Sequence, residues 1–176
     1  MKTTFLFGKP DSGKTTICGQ LLFRLKQHGW HEIVAFRNHN GRILQSKREF
    51  QLDTVSTDFH EDFTGVFKGI IDGKEIVVAI SSEGDDRHFI DKGLEKIKAI
   101  CDEHHLKVDY LFLTSHPSQA HTYATQKVYE LFPEGAEADY YSFATSRVQE
   151  TNDPTVVLQQ KNWFLDYILT TINLTI

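Results

Sequence analysis

The stretch from Lys2 to Leu25 limits what this chain can become more than any other. A short apolar run, Phe5-Leu6-Phe7, leads into Gly8-Lys9-Pro10-Asp11-Ser12-Gly13-Lys14-Thr15, and a helix-period pattern follows at once. Strand, GxxxxGKT loop and helix form one unit with a mechanical rationale. Gly8 and Gly13 let the backbone bend closely and turn successive N–H groups inward, which makes an anion nest. The nest opens on a helix N-terminus, whose free amides and dipole favour negative charge. Gly8, Asp11, Ser12, Gly13, Lys14, Thr15 and Thr16 are therefore the expected phosphate-binding residues. Lys14 reaches the outer phosphates of a nucleotide as a point charge, and the Thr15 hydroxyl is placed to ligate Mg²⁺.

The remaining chain sets the frame around this unit. Its 176 residues suit a single domain, 1–176, and 40% hydrophobic with 24% charged residues is a globular composition. No apolar run approaches the length of a bilayer span, and the opening residues carry no secretory pattern, so a cytoplasmic protein with no membrane contact is expected. Cys18 and Cys101 make no disulfide framework and fit reduced, buried thiols. A net charge of −5 argues against bulk nucleic-acid binding.

Taken in order, the spacing predicts a helix from Lys14 to about His28, with Ile17, Leu21, Leu22 and Leu25 on one face and Gly29 as its stop. Ile33–Phe36 reads as a buried strand that ends before Arg37 and an Asn-Gly turn signal. Residues 43–62 read as an insertion with a short helix or irregular loop. Thr64–Ile71 and Lys74–Ser81 are β-rich runs joined by Asp72-Gly73, a strong hairpin signal. The hairpin should deliver Ser82, Glu83, Gly84, Asp85 and Asp86 beside the glycine loop. Helices are expected over Phe89–His104 and from Ser118 to about Phe132. A strand is expected over Val108–Leu113 and a weaker one over Asp139–Phe143. Asp153-Pro154 opens a C-terminal helix that turns Val157, Phe164, Ile168 and Ile172 inward. Alternating strands and helices with one hairpin imply an α/β sandwich, its central sheet mostly parallel with one antiparallel hairpin strand.

The strand–GKPDSGKT–helix start resembles the P-loop NTPase superfamily. The resemblance implies a three-layer sandwich that binds Mg²⁺ and ATP (or GTP) over the strand ends, with Gly13 and Lys14 on phosphate and Thr15 on the metal. The hairpin GIIDGKEIVVAISSEGDD is similar in layout to that of Ras-like GTPases. Here, however, Ser81 stands where their metal-side aspartate would, and Val108–Leu113 ends in TSHP rather than a guanine-reading N-K-x-D. The small nucleotide-kinase-like branch therefore fits better, by elimination. Such proteins surround the phosphate acceptor with arginines and orient the attacking hydroxyl or water with an acid. Arg37, Arg42 and Arg87 are the candidates for charge, Glu83, Asp85 and Asp86 for orientation.

Phosphoryl transfer asks for positioning and charge neutralisation. With Lys14, the expected catalytic residues are Glu83, Asp85 and Arg87, the last as a finger-like cation. Asp85 is also expected to reach the metal through water. Arg37, Arg42 and His116, at strand ends, are the expected substrate contacts. Nine histidines raise the question of zinc, but His116 and His121 miss the i, i+4 spacing and neither cysteine has a Cys-x-x-Cys partner. Two functions stay open: an NTP hydrolase or small-molecule phosphotransferase, and a nucleotide-gated module that grips a protein partner with slow or no turnover.

Overall fold

The computed structural model describes residues 1–39, 42–45, 62–84, 86–116, 120–133, 139–145 and 153–176. Its elements are β1 (Lys2–Phe7), α1 (Lys14–Gln27), β2 (His31–His39), β3 (Arg42–Gln45), β4 (Phe63–Ile71), β5 (Lys74–Ser81), α2 (Arg87–Glu103), β6 (Tyr110–Ser115), α3 (Ala120–Leu131), β7 (Asp139–Ala144) and α4 (Pro154–Thr171). One seven-stranded mixed sheet runs in the order β3-β2-β4-β5-β6-β1-β7. The chain is α/β.

Period-two alternation sorts the sheet's side chains to two faces. Leu6, Phe67, Val78, Ile80 and Phe112 pack with Leu21 and Leu25 of α1 and with Leu165 and Ile168 of α4. Phe5, Val66, Val77, Ala79 and Leu111 pack with Leu94 and Ile97 of α2 and with Ala124 and Val128 of α3. Helices thus cover both faces, as the apolar run Ile76–Ile80 requires of a central strand. Both cysteines are buried and free. Burial pushes the Cys18 thiol above its ordinary range and that of Cys101 to about 11, so neither ionises near neutral pH.

The sheet is less parallel than its sequence suggests. Pairings β5–β6, β6–β1 and β1–β7 are parallel, but β2–β3, β2–β4 and β4–β5 are antiparallel. The expected single antiparallel strand is corrected on that ground. The physical reason lies past Phe36: β2 continues through the polar Arg37, Asn38 and His39, and His39 pairs with Arg42 of β3. Asn40 and Gly41, the only residues between them in the chain, signal a hairpin rather than a strand's end. Residues 43–45, expected in an irregular insertion, belong to β3; 46–61 lie outside the described residues.

Helix ends follow local chemistry. Asp86 and Asp153 accept from the backbone N–H groups of His88 and Thr155, both at 2.8 Å, capping α2 and α4. Asp153→Ala should cost about 1 kcal/mol, read as a lower urea midpoint. On α4 the inward stripe is Leu165, Ile168, Leu169 and Ile172, with the expected Val157 and Phe164 only half-buried. Among the described residues no helix is long and apolar enough to cross a membrane.

Candidate functional site

The carboxyl ends of β1, β5 and β6 and the amino end of β4 meet at one edge of the sheet. There the glycine loop turns from β1 into α1. Gly8 N–H donates to the Ser115 carbonyl at 3.2 Å, and Ser12 N–H closes a turn on the Lys9 carbonyl at 3.2 Å. Gly13 sits at φ 86°, a left-handed conformation that glycine adopts without penalty, and its carbonyl accepts the first helical bond from Ile17. Asp11, also at positive φ, is exposed.

Two buried ammonium groups bind this loop. Lys14, 6% exposed, curls back to donate to the carbonyls of Gly8 (2.9 Å) and Lys9 (3.1 Å). Lys161, from α4, donates to the Ser12 carbonyl at 2.8 Å. Ser12 Oγ is also 2.6 Å from Thr145 Oγ1 at the end of β7, and Thr145 N–H donates to the Phe7 carbonyl at 2.7 Å. The loop is therefore held from β6, β7 and α4 together.

An acid, Asp62, meets the start of α1. Thr15 Oγ1 donates to Asp62 Oδ1 at 2.6 Å, and Ser82 Oγ reaches the same oxygen at 3.3 Å. Thr16 is half-buried beside Thr15. A threonine hydroxyl and one carboxylate oxygen in contact form a donor pair that suits Mg²⁺, which takes one or two protein oxygens and completes its shell from phosphate and water. No group of three or more His, Cys, Asp or Glu side chains gathers as a metal site among the described residues.

Glu83 lies elsewhere in the cluster. β6 separates β5 from β1, and the 82–84 loop packs on the end of β6. Thr114 Oγ1 donates to the Ser82 carbonyl at 2.7 Å and His116 N–H to the Gly84 carbonyl at 3.1 Å. A Cβ at Gly84 would stand 1.9 Å from the Thr114 carbonyl oxygen, so only glycine allows this approach. Glu83 is 3% exposed, and neither carboxylate oxygen has a hydrogen-bond partner among the described residues. Burial pushes its carboxyl up to about 7; Lys96 and Lys92 pull it down and Asp62 raises it further.

The other expected residues scatter. The Arg87 guanidinium lies 5.0 Å from the centre of the Tyr123 ring, whose hydroxyl donates to Asp91. That pairing directs Arg87 to α3. The register sets Arg37 opposite Phe63, one strand from Asp62, and Arg42 one strand further out. His116 is half-buried beyond β6. Asp85 lies outside the described residues. Sequence reading passed over Asp62, Thr145 and Lys161. Lys161 did carry a signal, a lysine at the helical spacing of Leu165, Ile168 and Ile172. No family model, curated protein or solved structure matches the chain.

Proposed function

We propose that this protein binds a nucleoside triphosphate with Mg²⁺ in the manner of the P-loop NTPases, and hydrolyses it or passes its γ-phosphoryl to a small acceptor. The observation that carries the reading is the contact of Thr15 with Asp62 at the mouth of a glycine loop that Lys14 already spans. A loop built only as a turn has no use for a buried lysine and a hydroxyl–carboxylate pair at the same helix start.

In this reading the loop amides and the first turn of α1 receive the phosphates. Lys14 exchanges the Gly8 and Lys9 carbonyls for phosphate oxygens, which accept a charge-assisted bond more strongly. Thr15 and Asp62 would hold Mg²⁺, which when bound would supply positive charge to offset that of the phosphates. Glu83, buried with its carboxyl pushed up to about 7, would take the proton of an attacking hydroxyl or water only once ligand binding opens the 82–84 loop around it. ATP is the first nucleotide to try and GTP the second.

The test is phosphate release from ATP and GTP, with and without Mg²⁺, across a panel of nucleoside and nucleotide acceptors. Turnover that rises with one acceptor supports transfer, and acceptor-independent release supports hydrolysis. Asp62→Asn should raise the Mg²⁺ concentration needed by about tenfold or more while metal-free nucleotide binding is unchanged. An unaltered Mg²⁺ requirement would remove Asp62 from the metal side. A second reading, a nucleotide-gated interaction module, is favoured by one observation. Trp163 (62% exposed) and Tyr167 (60%) stand out from α4, the helix that also grips the loop. Nucleotide binding with negligible turnover for every acceptor supports that alternative.

A further inference from the structure

We infer that Lys161 is a second cation of the polyphosphate site, acting on the ligand through the glycine loop rather than by touching it. This rests on the nucleotide reading and adds to it a positioning residue from the far end of the chain. Lys161 sits on the inward stripe of α4 with Leu165, Ile168 and Ile172, and is 7% exposed. Its Nζ donates to the Ser12 carbonyl at 2.8 Å. Its stem fills the space over Gly13, where a Cβ would stand 2.5 Å from Cε and 3.0 Å from Nζ.

Two physical consequences follow from that position. A peptide whose carbonyl accepts from an ammonium group is polarised, so the N–H on its other side, that of Gly13, becomes a better donor to an anion. The charge itself also acts at close range in a water-poor setting, where it is felt more strongly than at the surface. Burial lowers the Lys161 pKa, so an incoming anion offsets a cost the free protein already carries. The α4 helix is also tied to α1 apart from this ammonium: Gln20 bonds the Leu158 carbonyl at 3.0 Å and Arg24 pairs with Asp166.

The experiment is calorimetric binding of inorganic tripolyphosphate, ATP, ADP and AMP to the full chain with Mg²⁺. Parent, Lys161→Gln, Lys161→Met and Lys14→Ala are compared. Gln keeps a donor for Ser12 without charge; Met keeps neither. Both variants should bind tripolyphosphate and ATP at least tenfold more weakly, ADP less so, and AMP nearly as the parent does. In the parent, the Lys161 Nζ resonance should titrate at higher pH once tripolyphosphate is bound, a change that a purely packing role does not produce. Affinity kept in the Gln variant, or lost equally for all ligands, overturns the inference. An unmoved Nζ titration overturns it too, and needs no variant to fold. If the parent binds no polyphosphate, the nucleotide reading itself falls. If it binds and only Lys14→Ala weakens it, Lys161 alone is acquitted.

Discussion

On the proposed nucleotide-binding function, Lys14→Ala should remove any thermal stabilisation that Mg-ATP or Mg-GTP gives the parent. A nucleotide bound as proposed, at a hundred times its dissociation constant, would stabilise the parent by about 2.7 kcal/mol, roughly 5–10 °C of melting temperature for a chain of this size. The alanine variant should show no shift at the same concentration. The reason is positional. Lys14 is almost wholly buried and its ammonium already lies within the loop, 2.9 Å from the Gly8 carbonyl. No other lysine is described in contact with both carbonyls that open the loop. The ligand-free variant should still fold, because loss of two bonds to carbonyls is offset by no longer burying an ammonium group. Differential scanning of both proteins with and without nucleotide reads the result. Equal shifts in variant and parent would end the phosphate assignment.

Glu83→Gln gains stability over the parent as the pH rises. The Glu83 carboxyl stands at about 7 in the folded chain against an ordinary 4.5, principally because burial penalises the carboxylate. Below pH 4.5 both folded and unfolded chains hold the proton and the residue has no effect on the balance. Between 4.5 and 7 the unfolded chain releases the proton first, so parent stability falls as pH rises. Above 7 both states are ionised and the full penalty, about 3 kcal/mol, is in place. Glutamine does not titrate. The difference between variant and parent should therefore widen by up to about 3 kcal/mol from pH 4.5 to 7.5, read from urea midpoints. A constant difference across that range would mean that the carboxylate is solvated after all. The proposed role of Glu83 as a base is a separate question, which phosphate release by Glu83→Gln measures.

The pieces read most faithfully are those whose cause lies within a few residues. The inward stripe of α1 (Ile17, Leu21, Leu22, Leu25) and the Asp153 cap of α4 fall where their spacing puts them. So does the β4–β5 hairpin at Asp72-Gly73. The strand past Phe36 was hidden because Arg37, Asn38 and His39 lack an apolar signature, and β2 there is held by pairing with β3 and β4. Glu83 was legible as an acid after a buried strand, though its burial was not. That burial arises from β6 entering the sheet between β5 and β1 and drawing the 82–84 loop onto Thr114 and His116.

By itself the sequence determined the local units: a glycine-rich turn between a strand and a helix, the helix faces and caps, and two-layer coverage of a central apolar strand. Tertiary structure alone decided which side chains meet at the strand ends. Asp62 reaches Thr15, and Lys161 reaches Ser12, only because strand order and α4 docking bring distant segments to one edge. Periodicity and turn chemistry act over a few residues, whereas these contacts depend on how whole elements pack, which no short stretch of chain encodes.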